Sequence, residues 1–446
     1  MPDKQNPSRY TPYAFSPSFA QELARWAYSL VTFLLLPVLL MVLAYKLLTG
    51  KNSFGAKVVQ RYGFLPHLTH KNGVLIHCVS VGEVVAAAPL IKQIQTQHPE
   101  LHFTVTTTTA TGKAQAIQLL GDSVTHLYLP YDTPIAMANL LKKVQPQKIL
   151  VTEVELWPNL IHLAWKKHIP VHIINARMTT RSCRSYKKIS ALFTPMLHKL
   201  SGICAQGQVD YHNYRQLGAD ASQVQLTNNI KFDQSLSEQD KLNIEEFGHL
   251  FDTNNRNVII GGSTHEPEES TLINAYQELK RSHSNLLLIL VPRHPQRFDK
   301  VAQLLQKSGL NYIKLSDASA AKQFSADTDV IFADKMGVLK PLYAKANIAF
   351  VGGSLAEKGG HNALEPAMLG LPIVMGPHIY NNPAICHALK EAGALHLVSD
   401  SEALTQQLHF WLDNTELAKT AGLAGSQVIE QNSGAILRTY TAIFSA

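Results

Sequence analysis

Short apolar runs alternate with longer, helix-length stretches over most of this chain. Four runs of the first half are VLIHCVS, HFTVTTT, KILVTE and VHIINA, and a stretch long enough for a helix follows each of them. This alternation is typical of βαβ units, whose parallel strands form a sheet with helices on both faces. The sequence therefore predicts an α/β fold in which polar residues collect at the carboxyl ends of the strands.

The alternation stops once and then resumes, which predicts two domains. Residues 228–257 are polar and helix-biased, and after them come the runs VIIGGS, LLLILVPRH, VIFAD, IAFVGG and PIVMG. A chain of 446 residues is long enough for two cores, because a single core stops growing at roughly 250–300 residues. We predict a first domain over residues 51–228 and a second over 229–446. Ligands of open α/β sheets bind at the carboxyl ends of the strands, so two such sheets facing each other would enclose a cleft.

The N-terminal segment, residues 1–50, does not follow this pattern. Residues 27–45 carry no charge, and at about 1.5 Å per residue their length approaches the roughly 30 Å of a bilayer core. We interpret them as a membrane-anchor helix, and Pro37 leaves open whether that helix spans the bilayer or lies shallowly. A buried core helix and a cleaved signal peptide are the alternatives, although no small-residue cleavage site follows the run. Because the α/β pattern begins only near Val74, we expect the segment to contribute little to either core.

The charges that flank the apolar run predict its orientation. The positive residues after it are Lys46, Lys51, Lys57 and Arg61. Those before it are Lys4, Arg9 and Arg25, which Asp3 and Glu22 offset. The excess of positive charge after the run places the bulk of the chain in the cytoplasm.

The composition limits the classes of molecule that the protein could bind, but it does not select one of them. The formal charge of +7 is compatible with nucleic acid, anionic lipid or a phosphorylated small molecule. The four cysteines form no CxxC pair, and the 20 histidines show no HxxxH or His/Cys ligand spacing, so we predict a reducing compartment and no zinc site. Asp327, Thr328 and Asp329 match the DxD motif with which some enzymes bind a metal ion. They precede the strand VIFAD, however, and this is the wrong end of the sheet for a ligand.

Acidic side chains follow two strands of the first domain. Glu83 should lie near the first turn of a helix over residues 84–97, where it either stabilises the helix dipole or accepts a proton from an attacking hydroxyl. Glu153 and Glu155 follow KILVT. If the extended geometry persists, these two carboxylates point the same way, and their like charges raise one pKa. A purely structural role, in which they accept backbone hydrogen bonds in a turn, fits the residues equally well.

Basic residues gather at two further places. Residues 177–188 carry Arg177, Arg181, Arg184, Lys187 and Lys188. This pattern suits a solvated helix face, or contact with an anion or a membrane surface. Lys231 lies at the presumed domain junction, where a single lysine is often only solvated.

The second domain places hydrogen-bond donors at several strand ends. Ser263 lies in a small-residue turn after VIIGG, and Pro292 with Arg293 follows LLLILV, so a phosphate could be held there. The motif FVGGSLAEKGGHNALEP gives a strand, a glycine-rich turn and a helix that carries Glu365. Glycine lets the backbone approach a ligand closely, and a carboxylate one turn into a helix can accept bonds from ribose hydroxyls. A packing role alone would also fit the glycines.

Taken together, these motifs resemble one family. In chain order they are SVGE, EVELWPNL, NARM, IKFD, GGSTHEPEE, VPRHPQRF, DKMG and FVGGSLAEKGGHNALEPAMLGLPIVMGPH. From about residue 27 onward the chain is similar to the bacterial 3-deoxy-D-manno-octulosonic acid (Kdo) transferases of lipopolysaccharide synthesis, glycosyltransferase family 30. The resemblance implies two facing Rossmann-like domains of the GT-B type, with the acceptor bound to the first and the donor to the second. It also implies inverting transfer of Kdo from CMP-Kdo to a lipid A precursor, lipid IVA, on the cytoplasmic side of the inner membrane, with no metal, no cofactor and no nucleic acid.

The resemblance also implies the site residues. The proton acceptor is Glu83, and the charge-stabilising residues are Glu153 and Lys231. The donor-binding residues are Ser263, Pro292, Arg293, Met336, Gly337, Val338, Gly353, Ser354, Asn362, Ala363, Leu364 and Glu365. Val338 stands where the family commonly has a glutamate, so only backbone contact with the donor is expected there. Asn228 stands where a glycine is usual, and asparagine tolerates left-handed backbone better than most residues.

Two other functions fit parts of the pattern. A sugar-nucleotide epimerase, or another two-domain transferase, would use the same glycine-rich loop and Glu365, although the anchor and SVGE argue against a soluble epimerase. A membrane-tethered nucleotide- or lipid-binding scaffold would need the pockets but not Glu83. Loss of activity with retained nucleotide binding on mutation of Glu83 distinguishes an enzyme from a scaffold.

Overall fold

The chain forms two compact α/β units, as the alternation predicts. The computed structural model describes residues 10–49, 55–233, 235–250, 256–317 and 327–444. Of the predicted flanking charges, Asp3, Lys4, Arg9 and Lys51 lie outside these residues. One unit comprises the described residues of Met1–Asp233 together with Gly434–Ala446, and the other those of Gln234–Ser433.

A seven-stranded parallel sheet forms the centre of the first unit. Its strands are β1 (Val74–His77), β2 (Phe103–Thr107), β3 (Val124–Tyr128), β4 (Lys148–Thr152), β5 (Val171–Ala176), β6 (Gly202–Ala205) and β7 (Val224–Leu226). They lie in the order β3-β2-β1-β4-β5-β6-β7, so the strand order reverses between β1 and β4. The four predicted runs of this half are confirmed as β1, β2, β4 and β5. The carboxyl ends of β1 and β4 adjoin at the reversal, where sheets of this kind bind ligands.

Helices cover both faces of this sheet. Those that precede the second unit are α1 (Phe19–Leu48), α2 (Ala56–Arg61), α3 (Val81–Gln97), α4 (Ala110–Leu120), α5 (Pro134–Val144), α6 (Pro158–Lys166), α7 (Thr180–Lys187), α8 (Ser190–His198) and α9 (Gln208–Gln216). Successive residues of a strand point to opposite faces, so Leu75 packs in one core with α5 and α6 while Ile76 packs in another with α3. Both faces of β1 are therefore buried, which explains its continuous apolar run.

The second unit repeats this architecture. Its strands are β8 (Asn257–Thr264), β9 (Leu286–Pro292), β10 (Tyr312–Lys314), β11 (Val330–Phe332), β12 (Ile348–Val351), β13 (Ile373–Met375) and β14 (Leu395–Leu397). Its helices are α10 (Glu238–Leu250), α11 (Glu268–Leu279), α12 (Phe298–Ser308), α13 (Leu339–Tyr343), α14 (Leu364–Met368), α15 (Pro383–Glu391), α16 (Ser401–Asp413) and α17 (Thr415–Asn432). The parallel strands lie in the order β10-β11-β9-β8-β12-β13-β14. The reversal here falls between β8 and β12.

The last helix, α18 (Ala435–Phe444), belongs to the first unit. Asp233 accepts hydrogen bonds from the backbone N–H groups of Ala435 and Ile436 at its start, at 3.2 and 2.6 Å. Ile443 is fully buried in the same core as β1 and α3. The sequence analysis assigned this segment to the second domain. A single boundary in the sequence cannot show that a later helix packs against the core of the first unit.

Helix α1 is long and apolar enough, over Phe19–Tyr45, to cross a membrane. This finding rests on length and composition. Apolar side chains such as Leu34 and Met41 are 61% and 64% exposed. Burial in the core of the first unit, one of the alternatives for this segment, does not fit these exposures.

The amino-terminal part of α1 nevertheless contacts the first unit through polar groups. The pairs are Glu22 with Lys199 at 3.4 Å, the Tyr28 hydroxyl donating to Asp132 at 3.1 Å, and the Ser29 hydroxyl donating to Asn159 at 2.7 Å. Asp132 also accepts the backbone N–H groups of Asn159 and Leu160 at the start of α6. None of the described residues of α1 belongs to a hydrophobic core, as expected, but the part up to Ser29 is attached to the first unit by these polar contacts.

Deletion of residues 1–48 should lower the melting temperature of the first unit by several degrees. The deletion removes the carboxylate partner of the buried Lys199 and two hydrogen bonds, each worth about 1–3 kcal/mol, and about 1 kcal/mol shifts the melting temperature of a unit of this size by roughly 2–4 °C. Calorimetry in detergent measures the change. The control replaces the exposed Leu34 and Met41 by glutamine, which makes α1 less apolar and should leave the melting temperature unchanged. Equal stability of the deletion and the full chain would contradict the prediction.

Candidate active site

Glu83 lies at the strand-order reversal of the first sheet. It is in the first turn of α3, directly after β1, and Ser80 with Glu83 has the spacing of a capping box. Oε2 accepts the backbone N–H of Val79 at 2.8 Å and the hydroxyl of Thr152, and Oε1 accepts the Ser80 hydroxyl at 3.1 Å. A carboxylate has about four acceptor positions, so these three donors fix Glu83 and leave Oε1 able to accept one more hydrogen bond.

Glu153 lies beside Glu83, but not in the predicted extended geometry. Strand β4 ends at Thr152, and the φ of Glu153 is +54°, a left-handed conformation. The expectation that the strand continues and aligns Glu153 with Glu155 is therefore wrong. Burial raises the pKa of Glu153, the neighbouring Glu83 carboxylate adds to this, and the positive charges of Lys231 and Arg177 oppose it.

Glu155 shows the effect of the like charges most clearly. Burial raises its pKa to about 7, and the carboxylates of Glu83 and Glu153 contribute to the rise. The like charges thus add to the rise in the pKa of Glu155, but burial is its largest cause.

Lys231 is held near this cluster by a short turn. Residues Ile230–Phe232 form a 3-10 helix, the Asn229 side chain accepts the N–H of Lys231 at 3.0 Å, and the Asn175 side chain accepts that of Ile230 at 3.1 Å. Asn228, just before the turn, has a φ of +65°, as its replacement of a glycine led us to expect. The first unit thus brings Glu83, Glu153 and Lys231, all inferred from the sequence, to one region at the carboxyl edge of its sheet.

The basic segment after β5 forms helix α7. Its residues Arg181, Arg184, Lys187 and Lys188 are exposed, and Lys187 donates a hydrogen bond to the side chain of Gln216 at 3.0 Å. Arg177 is only partly exposed and acts on the pKa of Glu153. The segment therefore has two parts. Arg177 acts on the carboxylate cluster, and the exposed residues of α7 and Lys188 form a solvated basic face.

A cavity of about 400 Å³ opens at the carboxyl edge of the second sheet. The predicted donor-binding residues that line it are Ser263, Pro292, Arg293, Met336, Gly337, Val338, Asn362 and Glu365. Asp240, Lys340, Tyr343 and His361 line it as well and were not inferred from the sequence. The cavity lies at the ends of β8 and β9, where the guanidinium of Arg293 favours an anion.

Asn362 and Glu365 form a polar pair in this cavity. The Asn362 amide donates to Oε1 of Glu365 at 3.2 Å and its oxygen accepts the N–H of Leu364 at 3.2 Å. Burial raises the pKa of Glu365, and the charge of Lys340 opposes the rise. A carboxylate fixed in this way can accept hydrogen bonds from sugar hydroxyls. Ala363 and Leu364 are buried and do not line the cavity.

Gly353 and Ser354 have a different partner from the one that the glycine-rich turn led us to expect. Their backbone N–H groups donate to the buried carboxylate of Glu268 at 2.8 and 3.0 Å. The φ of Gly353 is +71°, and a Cβ there would lie 2.9 Å from a ring carbon of His361. These two residues do not line the cavity. The N–H groups of this turn therefore bind a carboxylate of the protein itself in place of the expected ligand.

The DxD motif has the structural role that its position predicts. Asp329 precedes β11, accepts the backbone N–H of Asn311 at 2.9 Å and the Tyr276 hydroxyl at 3.0 Å, and forms an ion pair with Lys280. Its carboxylate is therefore engaged at the amino end of the sheet, away from the cavity.

Comparisons with known proteins agree with both units. Residues 56–234 match the family model of the 3-deoxy-D-manno-octulosonic-acid transferases, and residues 240–428 match that of the group 1 glycosyl transferases. The chain is 37% identical over 417 residues to a 3-deoxy-D-manno-octulosonic acid transferase of Haemophilus influenzae, which covers 93% of this chain and 97% of the relative. The chain belongs to the Kdo transferase family. The family resemblance and the enzyme class inferred from the sequence are thereby confirmed.

Further similarities bear on the family and on the fold. A Kdo transferase of Bordetella pertussis is 35% identical over 317 residues, or 69% of this chain and 72% of the relative. The UDP-GlcNAc 2-epimerase of Neisseria meningitidis, solved with UDP-GlcNAc, has a TM-score of 0.53 and 16% identity, and covers 82% of this chain and 99% of its own. This last likeness shows the fold alone, because one fold supports many functions. This Kdo transferase family member thus has two parallel-sheet domains of the GT-B type.

Histidine residues are the main addition that the structure makes to the site of this Kdo transferase family member. Nε2 of His265 lies 2.8 Å from Nε2 of His361, and the two rings stack with centroids 5.1 Å apart. Burial lowers the pKa of both imidazoles to about 4, and nearby positive charges contribute. His361 lines the cavity. Its sequence signal is its place between the glycines and Asn362, but the contact with His265 cannot be read from spacing.

Proposed function

We propose that this protein transfers Kdo from CMP-Kdo to the lipid A precursor lipid IVA, with inversion at the anomeric carbon and without a metal. The observation that carries the proposal is Glu83, a carboxylate fixed by three hydrogen-bond donors at the reversal of the first sheet, with Oε1 able to accept one more. The name and the 37% identity of the Haemophilus relative support the sugar and the reaction class.

The proposed reaction is a single displacement. The acceptor hydroxyl donates its hydrogen bond to Glu83, which takes the proton as the new bond to the anomeric carbon forms. The bond from that carbon to the CMP phosphate breaks, and CMP leaves with the electron pair. Because phosphate is a good leaving group, the site has more need of positive charge than of an acid. Lys231 stabilises the charge of Glu153 on the acceptor side.

The donor is assigned to the second unit. Arg293 and the backbone at residues 336–338 supply the groups for the CMP phosphate, with Ser263 at the end of β8. Asn362 and Glu365 supply a fixed acceptor pair for the ribose hydroxyls. Val338 is buried in the wall of this cavity, and its backbone substitutes for the glutamate that is common in the family. The other predicted donor-site residues do not line the cavity and would support its wall. They are Gly353, Ser354, Ala363 and Leu364.

The membrane is assigned to the N-terminal helix. Helix α1 would anchor the protein in the inner membrane with both α/β units in the cytoplasm, since the acceptor is a lipid. The exposed apolar side chains of α1 and its length support this location. The basic face of α7 would contact the acceptor phosphates or anionic lipid headgroups.

The test is transfer of radiolabelled Kdo from CMP-Kdo to a tetraacylated lipid A precursor in detergent, with the product mass determined. We expect a labelled lipid whose mass rises by a whole number of Kdo residues and whose formation persists in chelator. The mass also gives the number of residues added. Release of CMP with no labelled lipid would show that the acceptor is wrong.

The same preparation tests the hypothesis that the protein is a sugar-nucleotide epimerase. Incubation with UDP-GlcNAc should give no epimer, although the fold is shared with the Neisseria enzyme. The hypothesis of a membrane-tethered binding scaffold predicts nucleotide binding with no turnover of CMP-Kdo under any condition. Turnover that depends on the lipid acceptor excludes both.

A further inference from the structure

Two histidines and an aspartate meet at the edge of the second sheet opposite to the donor cavity. His283 lies between α11 and β9, while His409 and Asp413 lie in the last turns of α16. One ligand atom of each residue lies within 4.8 Å of the others. We propose that these three side chains bind a divalent transition metal ion of the zinc class.

The distances fit a metal site with little movement. Nε2 of His283 lies 3.5 Å from Oδ1 of Asp413, and Nδ1 of His409 lies 2.9 Å from Oδ2. Tetrahedral zinc holds its nitrogen and oxygen ligands at about 2.0–2.2 Å, which separates neighbouring ligand atoms by roughly 3.3–3.5 Å. The two rings meet at 74° with centroids 5.2 Å apart, so they do not stack face to face.

One nitrogen of the inner histidine lacks a hydrogen-bond partner. Nε2 of His283 is buried and makes no hydrogen bond among the residues that the structure describes, and Oδ1 of Asp413 lies 3.5 Å from it. A buried polar atom is normally paired, because leaving it unpaired costs about 1–3 kcal/mol. A bound ion would use the lone pair of this nitrogen.

The local electrostatics also favour a cation. Asp413 is the last residue of α16, where the helix macrodipole is negative. His409 and Asp413 are one turn apart on the same helical face. Their side chains are 46% and 52% exposed, so an ion can enter from solvent. Two imidazoles and one carboxylate suit zinc, copper or nickel better than magnesium or calcium.

The position in the fold argues for a structural role. His283 precedes β9, whereas Pro292 and Arg293 of the donor cavity follow its other end. A metal at the amino edge would tie the turn after α11 to the end of α16 and would take no part in sugar transfer. The sequence analysis predicted no zinc site, because His283 is far in sequence from the other two residues and the three therefore show no ligand spacing.

The experiment is a zinc titration of the full chain in detergent, after removal of metal with a chelator and with competition by a chromophoric zinc ligand. The variants are His409→Ala and Asp413→Asn, and the matched control is His387→Ala, which removes an exposed histidine from α15. The proposal expects one zinc ion to bind to the parent and the control. Each ligand variant should bind that ion at least about tenfold more weakly, a loss that even supporting residues of zinc sites can cause.

A second measurement separates binding at this site from binding elsewhere. Zinc should raise the melting temperature of the parent and of His387→Ala, but not that of His409→Ala or Asp413→Asn. Circular dichroism confirms that the variants fold. If zinc binds equally to all four proteins, or to none, the three side chains form an ordinary ion pair and the proposal is overturned.

Discussion

Glu83→Gln should reduce Kdo transfer by about 10²–10⁴, the range for loss of a general base, while the fold and CMP affinity remain at parental values. The amide keeps the size of the side chain and its place in the first turn of α3, but it cannot accept the proton of an attacking hydroxyl. The structural role of Glu83 is real, since the carboxylate accepts bonds from Val79, Ser80 and Thr152. A helix-start contact is worth only about 0.3–1 kcal/mol, however, and its loss would appear as a lower melting temperature.

Three measurements on one preparation separate these roles. Turnover with saturating donor tests whether Glu83 acts as the general base. CMP affinity tests whether the donor site is intact, and the melting temperature tests whether the hydrogen bonds of Glu83 stabilise the fold. Glu100→Gln is the matched control, because this carboxylate is exposed on the same unit and pairs only with His98 in the described structure. Near-parental turnover of Glu83→Gln with a lowered melting temperature would leave Glu83 a structural residue only.

Arg293→Ala should weaken CMP binding by about 1.5–3 kcal/mol, the range for a hydrogen bond to a charged group. This corresponds to a factor of roughly 10–150 in dissociation constant. Arg293 lines the cavity at the end of β9 and is exposed, so its removal should not destabilise the unit. Arg293→Lys should recover only part of the affinity, since a lysine cannot bind phosphate with two parallel N–H groups.

Calorimetric titration with CMP measures this effect. Arg281→Ala is the control, because it removes an exposed guanidinium from the same unit but lies before β9, at the opposite edge of the sheet. Its CMP affinity should equal that of the parent. Equal affinities of Arg293→Ala and the parent would exclude this guanidinium from the donor site.

The long strands were predictable from the sequence, and the short edge strands were not. β8 and β9 extend over 8 and 7 residues and are buried on both faces, so they read as continuous apolar runs. β10 and β14 have only 3 residues each and lie at the edges of the sheet. β11 and β13 are equally short but lie inside the sheet, where burial makes them fully apolar, so the runs VIFAD and PIVMG were recognisable. The order of the strands came from the structure.

The positions of the site residues were predictable where a motif directly follows a strand. They were less predictable where a backbone dihedral angle determines the direction of a side chain. Glu83 and Glu365 lie in the first turns of helices, as expected. The left-handed turn at Glu153 depends on one dihedral angle that the sequence does not reveal. The glycine-rich turn looked able to approach a ligand closely, because nothing local shows that Glu268, 85 residues away from Gly353, accepts its N–H groups. Long-range partners of this kind set the limit of the prediction.

The return of α18 to the first unit has a consequence for synthesis on the ribosome. The second unit emerges whole before the helix that completes the first one, and at about 5–20 residues per second this delay lasts on the order of ten seconds or more. During that time Asp233 has no Ala435 to bind, and the core around β1 lacks Ile443. A nascent chain therefore holds a finished second unit and an incomplete first unit with exposed apolar surface. Premature stop codons or proteolysis within the last dozen or so residues would damage the half of the protein that was made first.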